Sequence, residues 1–375
     1  MSTIEDTDID AIVDAGRSPG GAEHIVASTA ATAFTWDYER SRDGLSKLYE
    51  KAKISQWNVT TDLPWETEVD QERMATALGA TADIQSFRAK AAEYSPDLAK
   101  WGEREWINHS ITEQNSMLSQ FLHGEQGALL CTAKIVETVP WIDAKYYAST
   151  QVMDEARHVE AFQRYLDEKF SGHLPINPHL GRLLDDIIED TRWDITYLGM
   201  QIMVEGLALA AFGFIHQMTD EPLLKKLLRY VMSDEARHVA FGVLSLQELY
   251  ADMNAKEIRE RQEFAYEAVV RLRNRWFHTD VWEREGVDPR PVVQLMLDEP
   301  TEAEDMFRMM LFSKIVPNCK KLGLLDAGAA DGEKGWLRER FEEVGIIQFE
   351  DWVDTSDEYA DLDEVAKDRA AAGAA

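Results

Sequence analysis

Six residues, Asp154-Glu155-Ala156-Arg157-His158-Val159, recur unchanged 80 positions later as Asp234-Glu235-Ala236-Arg237-His238-Val239. A glutamate precedes each copy at one interval: Glu125 lies 30 residues before Glu155, and Glu205 lies 30 before Glu235. Within each copy, glutamate and histidine stand three apart and share one face of a helix. Two such pairs, plus one glutamate from each of two other helices, make the ligand set of a carboxylate-bridged two-metal site in a four-helix bundle. Glu125, Glu155, His158, Glu205, Glu235 and His238 are therefore the candidate ligands. Carboxylates with imidazole suit iron or manganese, whereas structural zinc draws on thiolates. A single Glu-x-x-His arises often by chance as an ion-paired helix face. Two identical copies with equally spaced upstream glutamates do not.

The elements that must carry these groups are set by the same spacing. Pro140 is midway between Glu125 and Glu155, and Asp220 is midway between Glu205 and Glu235. A chain that climbs, turns at the midpoint and descends returns the second glutamate to the height of the first. Apolar periodicity predicts long helices over 103–137, 141–170, 183–218 and 223–253. Each is about 30 residues, or roughly 45 Å. No alternating strand pattern competes. The fold class expected is all-α, a four-helix bundle with flanking helices. A short helix is expected over 43–53, a loop over 57–69, one or two helices over 71–93, a charged outer helix over 255–284, and further helices over 292–325. The domain reading is a flexible segment 1–35, one helical domain 36–325 with its core at 100–255, and a partly disordered extension 326–375.

The glutamates sit in apolar surroundings, where an ionised carboxylate is costly to bury alone. Asp154 and Asp234 stand beside the ligand glutamates and are expected to accept the free ring N–H of a histidine from the opposite hairpin. Arg157 and Arg237 would pair with those aspartates. Phe121, Leu122, Leu129, Phe162, Ile202, Leu209, Phe212 and Val231 are candidates to line an apolar chamber beside the site, or else are plain bundle core.

Composition narrows the function classes. The formal charge of −30 disfavours nucleic acid and anionic membrane surfaces as partners. No uninterrupted apolar run reaches about 18 residues, so no membrane span is expected. Two cysteines give no disulfide framework, and together with an acidic start lacking a leader pattern they suggest a cytoplasmic setting.

The paired Asp-Glu-x-Arg-His motifs, each with a glutamate on the preceding helix, resemble the ferritin-like di-iron carboxylate superfamily over about residues 100–255. That superfamily includes multicomponent monooxygenase hydroxylases, ribonucleotide reductase small subunits, acyl-carrier-protein desaturases and aminoarene N-oxygenases. Gly124-Glu125-Gln126 and Ser149 to His158 look most like the oxygen-activating hydroxylases. The resemblance implies two iron ions, or a manganese/iron pair, with O₂ as co-substrate and a small apolar or aromatic substrate for hydroxylation or N-oxygenation. A radical-generating subunit or a ligand-binding metal oxidase is the alternative. Three positions depart from the relatives. Phe162 stands where reductase subunits place a radical tyrosine, Val231 where N-oxygenases place an extra histidine, and Leu209 where hydroxylases place a threonine. Tyr146, Tyr147 and Tyr197 lie about two turns from a ligand glutamate and are not expected to touch metal. No Cys-rich iron–sulfur motif or GxGxxG is present, so electrons would come from an external reductase or ferredoxin. A homodimer is among the assemblies this reading allows.

Overall fold

The computed structural model describes residues 8–15, 23–330, 332–347 and 364–373. Among them every regular element is a helix. A helix that docks on the bundle from the N-terminal side is α1, Asp43–Ile54. The bundle begins with α2, Glu103–Thr138, which turns at Val139–Trp141 into α3, Ile142–Lys169. A connecting helix α4, Pro178–Glu189, leads to α5, Trp193–Met218. A second tight turn leads to α6, Pro222–Ala251, and α7, Ala255–Asn274, comes after it.

Both turns fall where the glutamate spacing places them. The second is fixed chemically. Glu221 accepts from the backbone N–H of Leu223 and of Leu224, both at 2.7 Å, and Pro222 supplies a first helical residue that needs no donor. The Tyr165 hydroxyl donates to Glu221 at 3.0 Å, which ties this turn to α3. At the other end, Asp143 accepts from Ser41 N, Arg42 N and Ser46 Oγ, so α1 is docked on the start of α3.

The third long stretch is not the single helix expected over 183–218. It breaks at Asp190–Arg192, where Asp190 accepts from the Arg192 N–H at 2.8 Å. The last carbonyls of α4 go to Lys134, whose ammonium donates to Ile188 O at 2.7 Å and to Asp190 O. Beyond the break, Leu198–Val204 is π-helical and runs directly into Glu205. A π segment adds a residue to the turn and re-aims the side chains beyond it, a device common at functional sites. Gly242 on α6 makes room for it, since a Cβ there would fall 2.6 Å from Gln201 Cβ. The stretch Trp193–Met218 is apolar enough to cross a membrane by length and composition, but 83% of its most apolar window is buried within the fold.

The charged helix expected over 255–284 also divides. It ends at Asn274, passes through the 3₁₀ turn Arg275–Phe277 and the left-handed residue His278 (φ 49°), and resumes at Thr279–Arg284. In the N-terminal segment read as flexible, Ile9–Val13 is a helix whose Ile12 packs with Phe277 and Val293. Ala33 N donates to Glu137 O, and Thr35 donates to Pro140 O, anchoring the extended stretch before α1. In the C-terminal part, Leu337 and Phe341 of Trp336–Glu343 join the main core, and Arg229 on α6 holds Glu364. The rest of the extension read as disordered, 348–363, lies outside the described residues.

Candidate metal centre

Four helices bring all six ligand candidates to one place. Glu125 comes from α2, Glu155 and His158 from α3, Glu205 from α5, and Glu235 and His238 from α6; none is more than 5% exposed. The ligating atoms of Glu125, Glu155, His158 and Glu235 fall within 4.8 Å of one another, and those of Glu155, Glu205 and His238 do likewise. His158 Nδ1 stands 3.1 Å from Glu125 Oε2 and 3.1 Å from Glu235 Oε1. His238 Nδ1 stands 3.1 Å from Glu155 Oε1 and 3.5 Å from Glu235 Oε1. Glu155 and Glu235 thus lie between the two histidines, and Glu125 and Glu205 lie at the ends.

The outer partners are crossed between hairpins. His158 Nε2 faces Asp234 Oδ2 at 3.1 Å, and His238 Nε2 faces Asp154 Oδ2 at 3.4 Å. Each Nδ1 is therefore left to point at the carboxylate cluster, the tautomer that metal ligation through Nδ1 requires. Arg157 donates through Nη2 to Asp154 at 2.5 Å and to Asp234 at 3.0 Å. Arg237 also donates to Asp234.

The electrostatics fit a pair of cations. Six buried carboxylates face two guanidiniums, an excess of four negative charges that two divalent ions neutralise. Burial and the Glu235 charge push Glu125 well above the usual carboxylate range, and burial with the Glu155 charge does the same to Glu205. Burial opposes ionisation of Glu155 too, but His238 and His158 together hold it well below its ordinary value. Burial works against protonation of both histidines, and the surrounding carboxylates override it and raise both strongly. Protons thus do part of the neutralising that cations can do, and metal binding would release them. Glu155 Oε2, Glu205 Oε2, both Glu235 oxygens and His238 Nδ1 are buried without a hydrogen-bond partner. Buried polar groups rarely stay unsatisfied, and five such atoms converging here fit two metal ions.

Four residues shape the site without having been singled out from the sequence. Gln151, one turn before Glu155, donates at 2.9 Å to both Glu155 Oε1 and Glu205 Oε1. Trp57 donates its indole N–H to Asp234 Oδ2 at 2.8 Å, and Gln56 donates to Asp154 Oδ1 at 3.1 Å. The fourth, Arg275, lines a small cavity beside Glu125, Glu205 and Glu235. Gln151 alone carried a signal, its place on the ligand face of α3. Gln56 and Trp57 come just after α1, far from the motifs in sequence.

Of the eight chamber candidates, only Phe121 borders that cavity. Its volume is about 20 Å³, room for one water-sized molecule. Phe121, Phe162 and Phe212 pack on one another with ring centroids 4.6 to 6.0 Å apart. Leu122, Ile202, Leu209 and Val231 are buried core, and Leu129 is half-buried. Tyr197 and Tyr147 both pack against Phe241. Burial raises the Tyr147 hydroxyl, which lies within electrostatic reach of His238 and Arg237.

Solved structures share this architecture. Variants of an R2-like ligand-binding oxidase reconstituted with a Mn/Fe cofactor align at 18% and 19% identity, each with a TM-score of 0.51. They cover 76% of this chain and 94% and 95% of theirs. A further variant carrying an Fe/Fe cofactor aligns at 17% identity with the same TM-score. The fold is ferritin-like. No family model and no curated protein sequence matches the chain.

Proposed function

We propose that this chain is an O₂-dependent dinuclear metal oxidoreductase with an iron/iron or manganese/iron pair. The observation that carries the reading is the convergence of six buried ligand atoms with crossed aspartate partners on both histidines. Glu125, Glu155, His158 and Glu235 would hold one ion, and Glu155, Glu205 and His238 the other. Two such ions supply the redox equivalents for activating O₂. The chain's own part is to hold them and keep water out. Asp234 and Asp154 keep a proton on each Nε2 and leave each Nδ1 free to ligate. The packed Phe121, Phe162 and Phe212 rings close one side. Both cysteines are buried and lack a cluster pattern, so electrons would come from a separate donor protein.

Oxygenation of a small apolar or aromatic substrate is one outcome of such a site. The small cavity favours a second reading, a ligand-binding oxidase in which a bound molecule does not exchange freely. The likeness to oxidases of that description supports it as well. The test is to measure iron and manganese per chain after reconstitution, reduce without air, and monitor O₂ uptake. About two metals per chain and O₂ consumption are expected. A protein that loads no metal, or that ignores O₂, overturns the proposal.

A further inference from the structure

Arg275 is the one cation lining the cavity beside the metal cluster, and it is only 6% exposed. Its single described partner is the ring of its neighbour Trp276, 4.9 Å from the guanidinium carbon. Among the described residues its guanidinium makes no ion pair and no hydrogen bond. Burial lowers its pKa to about 10, and no carboxylate offsets that burial. Every other guanidinium near the centre has its counter-charge: Arg157 and Arg237 have Asp154 and Asp234. A buried charge without a partner is costly, and an isolated ion is retained only where something pairs with it. The backbone that places Arg275 is itself constrained, by the 3₁₀ turn at Arg275–Phe277 and the left-handed His278 beyond it.

Apart from Gln120, whose amide is engaged with Pro175 O and Asn177 N, the lining beside Arg275 and the ligand glutamates is apolar or bare. Phe121, Val204 and Ala208 supply the apolar part. Gly124, in the middle of α2, adds open space, since a Cβ there would meet no atom within 4 Å. The cavity is therefore lined by one cation, an apolar wall and three of the ligand glutamates.

We propose that Arg275 is the anchor for the carboxylate of a small organic acid, which lies along the Phe121–Ala208 wall with its body toward the metal centre. This rests on the proposed function only for what happens at the far end. A carboxylate matches the guanidinium fork bidentately. A phosphate fits less well, because the cavity offers a single cation and is also lined by Glu125, Glu205 and Glu235. The cavity as it stands admits one water-sized group, so the carboxylate displaces water at the Arg275 end and the side chains around Gly124 make way for the body.

The test is calorimetric titration of metal-free and metal-loaded protein with benzoate and butyrate, their uncharged partners benzyl alcohol and butanol, and inorganic phosphate. The carboxylates are expected to bind at least about tenfold more tightly than the matching alcohols. Arg275→Met should erase that preference with metal content unchanged, Arg275→Lys should keep part of it, and Gly124→Leu should block binding by filling the cavity. Equal binding of acid and alcohol, stronger binding of phosphate, an unaltered preference in Arg275→Met, or no binding of either acid would overturn the proposal. Metal counted in the same samples separates this failure from failure of the dinuclear reading. A protein that loads no metal yet prefers carboxylates through Arg275 sinks only the latter.

Discussion

The two hairpins carry the same six-residue motif and the same crossed aspartate–histidine pairs, yet several of the contacts around them differ. In the first, α2–α3, Gln151 sits one turn before Glu155 and bridges to Glu205. The equivalent position in the second hairpin, α5–α6, is Val231, which has no donor to give. Both Glu125 and Glu205 border the cavity, but Glu125 is held by His158, whereas Glu205 is clamped by an amide. Asp234 is held by the Trp57 indole, and Asp154 by the Gln56 amide. Among the described residues the π segment occurs only before Glu205. A duplicated motif has thus been given two unlike environments, and two metal positions built on it should differ in affinity and accessibility.

The sharpest break of this comparison is at the shared ligands. Glu155 belongs to both ligand groups, whereas Glu125 belongs to one. Glu155→Ala is expected to reduce metal content from about two per chain to none, and Glu125→Ala to about one. Elemental analysis after reconstitution decides it, and equal loss in both variants would remove the distinction between a ligand of both groups and a ligand of one.

Next in size is the guanidinium that spans the hairpins. Arg157 Nη2 contacts both aspartates, so Arg157→Met leaves two buried carboxylates short of a partner. Losing one member of a buried charge network costs about 3–5 kcal/mol. Urea denaturation of metal-free protein should show a loss of that order. A change under about 1 kcal/mol would mean that Arg237 alone suffices.

A smaller and more selective effect is expected at Gln151. Gln151→Leu removes a donor to Glu155 and Glu205, and outer partners of this kind are worth about tenfold to a hundredfold in metal affinity. The loss should fall mainly on the Glu205–His238 position. Val231→Leu, at the equivalent place in the other hairpin, should change affinity little. Stepwise metal titration and then competition with a chelator separates the two positions.

The legible part of this molecule is the part that periodicity and pairing encode. The hairpin turns come from Pro140 and Asp220 at the midpoints, and the crossed pairing of Asp154 and Asp234 with the opposite histidines comes from each aspartate's place beside a ligand. The hidden part depends on geometry that no local pattern records. The break at Asp190–Arg192 rests on Lys134, about 55 residues away, taking the carbonyls that end α4. The π segment leaves the apolar pattern of 198–204 unchanged, because the same residues are buried in either helix type. Trp57 reaches Asp234 across 177 positions of sequence, from a loop with no motif. Arg275 lies in a run of charged residues that reads as a solvated helix face. Only the end of α7 at Asn274 turns it inward. Phe162, Leu209 and Val231 stand in the packed core, the second of the two roles their sequence context allows: an apolar residue near a ligand can face a cavity or fill one, and sequence does not tell the two apart.

The smallest predicted effect contrasts two glycines, one on each hairpin. Alanine is favoured over glycine in a helix by about 1 kcal/mol, so a helical glycine has a cost unless its missing Cβ serves something. At Gly124 an added Cβ meets nothing within 4 Å, and Gly124→Ala should stabilise the metal-free protein by up to about 1 kcal/mol. At Gly242 the added Cβ would fall 2.6 Å from Gln201 Cβ, inside the packed contact between α6 and the π segment. Gly242→Ala must therefore push α5 away and should destabilise by about 1–3 kcal/mol. Because the π segment aims Glu205, the same change should weaken the Glu205–His238 metal position, whereas Gly124→Ala should leave both metals in place. Urea denaturation paired with metal content reads both effects at once. If the two substitutions moved stability in the same direction, Gly124 would not stand at an open cavity edge, and the contrast between open space at Gly124 and close packing at Gly242 would lose its structural basis.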